Sequence, residues 1–140
     1  MRKTALAIGL MAAAMAFAGA QAAMTTYKAN LNGAAEVPPG ASKGTGAAAV
    51  NVDTATKQLS WNVTYAGLGG PVTGAHIHCG AAAGANGGVA VNFGTTLASP
   101  IKGSGAMTDA QLADLAAGKC YVNLHTEANK GGELRGQLAP

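Results

Sequence analysis

The chain has 140 residues, of which 11% are charged and 4% aromatic, with nine Lys+Arg against six Asp+Glu. Charge this sparse excludes a nucleic-acid binder built on a basic patch, because phosphate contacts need clustered cations. Two cysteines, three histidines and one tryptophan leave few side chains able to carry chemistry.

Arg2 and Lys3, the apolar run from Ala5 to Ala18, and the small-x-small triplet Ala20-Gln21-Ala22 predict a secretory signal over residues 1–22, cleaved after Ala22. The run is too short for a spanning helix, and no later stretch is long and apolar enough to be one. Without Arg2 and Lys3 the chain carries seven basic and six acidic side chains, so most of the basic excess belongs to the leader. Residues 23–140 then form one domain, periplasmic or secreted. Export to an oxidising compartment and an even number of cysteines predict a disulfide.

Thr26 to Leu31 alternates, with Tyr27, Ala29 and Leu31 on one face, as in a half-buried strand. Val37-Pro38-Pro39-Gly40 marks a loop. Gly44 to Val52 places Gly46, Ala48, Val50 and Val52 together, and Gln58 to Tyr65 places Leu59, Trp61, Val63 and Tyr65 together. The turn Asp53 to Lys57 between them predicts a hairpin. Val72 to Cys79 is the next strand, followed by an aperiodic Gly/Ala/Asn loop over 80–88. Short strands are expected at Val89 to Phe93 and Ile101 to Met107. Thr108-Asp109-Ala110-Gln111 is a capping box opening a short helix over Ala110 to Ala117, with Gly118 as its stop. Lys119 to His125 and Glu133 to Leu138 close the chain as two strands. Many short strands between regular turns predict an all-β fold, an antiparallel Greek-key β-sandwich with one short helix in a connection.

Residues i and i+2 of a strand share a face. His76 and His78 therefore project together, opposite Ala75, Ile77 and Cys79. Tyr121, Asn123 and His125 share one face of the later strand, opposite Cys120, Val122 and Leu124. Parity puts both cysteines on core faces, where Cys79–Cys120 would join two strands, and all three histidines on outward faces. Three imidazoles on two neighbouring strands make a nitrogen site suited to copper or zinc. Arg135 is then either a structural partner of a carboxylate or a guide for a small anion. Glu133 and Asn123 are expected around the metal, Glu127 as a solvated loop carboxylate, and Met24 as a chain end with a soft sulfur within a copper ligand's repertoire.

Gly74-Ala75-His76-Ile77-His78, the 80–88 loop, Tyr121 to Thr126 and Gly132 to Leu138 together resemble the CHRD (chordin-type) domain. That resemblance implies a secreted β-sandwich and little further biochemistry. The segment Gly74 to His78 is also similar to the strand that supplies two copper ligands in copper-zinc superoxide dismutases. Those enzymes are Greek-key sandwiches with one internal disulfide, a late histidine ligand and an arginine near the last strand. This second resemblance implies His76, His78 and His125 as copper ligands and Arg135 as the anion guide. The zinc-ligand set is missing, so it implies a mononuclear copper site. The expected function is copper binding, either for storage and transfer or for superoxide dismutation. The rival is a metal-free extracellular module that holds a protein or a glycan.

Overall fold

The computed structural model describes residues 23–140, and the expected signal over 1–22 lies outside them. Among the described residues eight strands form: β1 (Met24–Asn32), β2 (Thr45–Asp53), β3 (Gln58–Ala66), β4 (Val72–Cys79), β5 (Gly88–Asn92), β6 (Ile101–Ala106), β7 (Cys120–Thr126) and β8 (Leu134–Gln137), with one α-helix, α1 (Asp109–Ala116). A 3-10 turn at Gly33–Ala35 follows β1. Alternation sets the strands: Leu59, Trp61 and Val63 of β3 are buried between exposed Ser60, Asn62 and Thr64.

All strand pairs are antiparallel, in the order β5-β4-β7-β8-β1-β2-β3-β6. β1, β2 and β3 make a meander, and β8 returns late in the chain to lie beside β1, a Greek-key arrangement. The two halves of this succession face each other as an all-β sandwich closing toward a barrel. Trp61 of β3 stacks on Phe93, just after β5, with ring centroids 4.6 Å apart. Gly103 of β6, paired with Trp61, leaves room for the indole, since a Cβ there would lie 2.5 Å from Trp61 Cζ2.

The core is aliphatic. Ile77, Val122, Leu124, Leu134 and Leu138 are wholly buried in one cluster with Val50 and Val63, and each such side chain contributes about 1.5–3 kcal/mol on burial. Helix α1 starts in the expected capping box, Thr108 accepting from the Gln111 amide and Gln111 accepting in return. It stops at Gly118, whose φ of 72° is the left-handed conformation glycine adopts without strain.

One expectation needs correcting. The face of β7 opposite the core does not face water: Tyr121 and Asn123 are each 3% exposed. Two loops cover it. Gly87 donates its amide to the Tyr121 hydroxyl, Asn123 bonds to Glu36, and Asn86 ties the two loops together through the Val37 carbonyl.

Candidate metal centre

β4 and β7 pair with Gly74 opposite His125, His76 opposite Asn123, His78 opposite Tyr121 and Cys79 opposite Cys120. The alternation that buries Ala75, Ile77 and Cys79 leaves His76 and His78 half-buried on the other face. His125 lies diagonally across from His76 on that same face. The three imidazoles thereby offer ligand atoms that all lie within 4.8 Å of one another. Cys79 and Cys120 form the disulfide next to this register, on the core side.

Backbone carbonyls set the tautomers. His78 Nδ1 lies 3.0 Å from the Gly87 carbonyl, and His125 Nδ1 lies 2.9 Å from the Lys130 carbonyl. A carbonyl only accepts, so each Nδ1 carries the proton and each Nε2 presents its lone pair. His78 Nε2 is buried without a hydrogen-bond partner. His76 points its Nδ1 at His125 Nε2, 3.2 Å away. Two Nε2 atoms and one Nδ1 therefore converge, and the His78 and His125 rings are held by partners of the kind that orient metal-binding histidines. Gly74 lies against both rings: a Cβ there would touch His76 Cε1 at 3.4 Å and His125 Cδ2 at 3.6 Å, ordinary van der Waals contact.

The surroundings favour neutral rings. Burial holds His76 below the ordinary histidine value, reinforced by His125 and His78. Burial also depresses His78; the Gly87 carbonyl opposes this, while His125 and Arg135 add to it. A neutral imidazole is the form that binds a metal.

The remaining predicted residues fall elsewhere. Glu133 accepts from Ser42 Oγ at 2.8 Å, the Gly69 amide at 2.9 Å and Thr126 Oγ1 at 2.6 Å. Burial raises its carboxyl, but bonds from Thr126, Gly69, Ser42 and Asn129 outweigh this and hold it below the usual carboxylate value. It ties three segments together rather than supporting an imidazole. Asn123 donates to Glu36 and to the Leu134 carbonyl, again away from the rings. The partners of the rings are instead the carbonyls of Gly87 and Lys130, which leave no mark in a sequence.

Arg135 is 2% exposed, its guanidinium bonded to Asn86 Oδ1 and the Ala85 carbonyl and lying over the Tyr121 ring. Enclosed in this way, it does not present its charge to an anion arriving from solvent. Glu127 forms an exposed ion pair with Lys130. Met24 starts β1 opposite Asp53, at the end of that strand away from Asn32, which is the residue facing Arg135.

Glu36 is a functional-looking residue that no pattern in the sequence singles out. It is 7% exposed, and burial pushes its carboxyl up to about 7 against the Asn123 bond and the Arg135 charge. Its loop has no periodicity, so nothing in the pattern places it over β7.

No helix among the described residues is long and apolar enough to cross a membrane. The family model that matches the chain is the CHRD domain, over residues 27–138. No curated protein and no solved structure matches.

Proposed function

The chain belongs to the CHRD domain family, and we propose that it is an exported copper-binding protein whose centre is His76, His78 and His125. The observation that carries this reading is the convergence of three nitrogen donors within 4.8 Å, one of them the buried and unpartnered His78 Nε2. A polar atom in that state costs free energy unless something binds it. Imidazole donors suit copper and zinc, and the divalent series binds Cu²⁺ more tightly than Zn²⁺ at a given nitrogen site. The Cys79–Cys120 disulfide supports an oxidising compartment, as in the periplasm or outside the cell.

Holding or transferring copper fits better than dismutation. Superoxide would need a guiding cation open to solvent, and Arg135 is enclosed beneath the 80–88 loop. Aerobic and anaerobic copper titration of the purified chain beside a His78→Ala variant tests the proposal. Tight stoichiometric binding is expected in the wild type, with at least tenfold weaker binding in the variant. Equal, weak binding by both would leave a metal-free module for a protein or a glycan. Superoxide consumption by the copper-loaded protein above that of aqueous copper would return the reading to dismutation.

A further inference from the structure

We infer that the stack of Arg135 and Tyr121 against His78 biases the copper centre toward the cuprous ion; this deepens the reading above and rests on it. The Tyr121 ring lies parallel to His78, with a 1° interplanar angle and centroids 4.9 Å apart. Arg135 Cζ lies 3.5 Å from the centroid of the same phenol ring. β7 runs between β4 and β8, so the imidazole and the guanidinium take opposite faces of Tyr121. The guanidinium is buried, and its hydrogen bonds go to neutral acceptors, Asn86 Oδ1 and the Ala85 carbonyl. Glu36, which lines the same groove as Arg135, rests its carboxylate on Asn123 and over Gly132 instead. A full positive charge is therefore held one ring away from a proposed ligand, in surroundings that screen it poorly. Copper(II) carries one more positive charge than copper(I), from which it differs by one electron, so the fixed cation opposes the cupric ion more strongly.

Arg135 and Tyr121 act here as positioning residues, through His78 rather than on the metal. The test measures affinity for each ion separately: copper(I) under ascorbate against a chromophoric cuprous chelator, and copper(II) in air against a cupric one. In Arg135→Met the affinity for copper(II) relative to copper(I) is expected to rise about tenfold, a fall of about 59 mV in reduction potential for one electron. Arg135→Lys, which keeps the charge, and Tyr121→Phe, which keeps the ring but loses the Gly87 contact, are expected to retain the wild-type ratio. A merely structural role would weaken both ions together and leave the ratio unchanged, and that result in a folded Arg135→Met protein overturns the inference. If Arg135→Met does not fold, Arg135→Gln serves as the second arm, since it removes the charge but keeps an N–H donor for the Asn86 and Ala85 acceptors. It should raise the copper(II) to copper(I) affinity ratio in the same direction, and an unchanged ratio overturns the inference equally. A wild type that binds neither ion overturns the parent reading, and this one with it.

Discussion

A side chain at position 74 would enter the space between two imidazoles. A methyl group at 3.4 Å from His76 and 3.6 Å from His125 makes ordinary contact, so Gly74→Ala should keep copper affinity near that of the wild type. Gly74→Val adds two methyl groups on the strand face of the ligands, where the rings must move to accept them. Copper affinity should fall at least tenfold in Gly74→Val, measured by chelator competition, with a smaller proportional change in thermal stability. Unchanged affinity in the valine variant would place the metal away from this face. A second residue-scale prediction concerns Glu36, whose carboxyl sits at about 7 in the fold. An acid with a raised folded pKa holds more protons in the native state, so its contribution is full below the unfolded value and is lost as pH rises through about 7. His76 and His78 act oppositely: held below the ordinary histidine value, they cost stability as pH falls below that value. The difference between wild type and Glu36→Gln removes the histidine contribution and isolates the acid. The wild type should lose on the order of 2 kcal/mol relative to Glu36→Gln between pH 5 and pH 8, read by urea unfolding. A flat difference would mean that Glu36 titrates as an exposed carboxylate.

At the scale of elements, the centre depends on β4 and β7 holding one register, and the disulfide lies in that register beside His78 and Tyr121. The bond closes a loop of 41 residues, and a constraint on the unfolded chain of that length contributes about 2–4 kcal/mol. Cys79→Ala with Cys120→Ala should lose about that much stability by denaturant unfolding, and copper affinity should fall with it because His78 is next in the chain to Cys79. Loss of stability with copper affinity intact would show that the remaining β4–β7 pairing alone fixes the ligands. This pairing was legible because period two is a strong constraint: once Ala75 and Ile77 face the core, His76 and His78 must face away, and the Val122–Leu124 pattern does the same for His125. The capping box of α1 was legible for a similar reason, since its two side chains act within one turn. What lay over the outer face was not legible. The 33–40 and 80–88 loops are placed by contacts between distant segments, Asn86 with Val37 and Arg135 with Ala85 and Asn86, and no local pattern encodes them. The outer contacts of the site leave no trace in the sequence for the same reason. Carboxylate and amide side chains stand out in a sequence, whereas the groups that orient His78 and His125 are main-chain carbonyls.

At the scale of the whole molecule, the three ligands come from strands that meet only in the folded sheet. His78 on β4 and His125 on β7 lie on paired strands that are distant in the chain, with β5, β6 and α1 between them. The unfolded chain holds no such cluster, so a metal that binds these residues binds the native state and shifts the folding equilibrium by mass action. At a free copper concentration about 100 times the dissociation constant, that linkage adds about 2.7 kcal/mol. For a domain somewhat above 100 residues this corresponds to a rise in Tm of about 10 °C. The rise should be seen by differential scanning calorimetry in the wild type, grow with the logarithm of copper concentration, and vanish in His78→Ala. Gly74→Val should show it only at higher copper, because the fold is kept while the site is crowded. An equal rise in wild type and His78→Ala would trace the effect to copper bound elsewhere on the chain. A fall in both would mean that the unfolded chain binds copper better than the sandwich does, and the converging imidazoles would then owe their arrangement to packing alone.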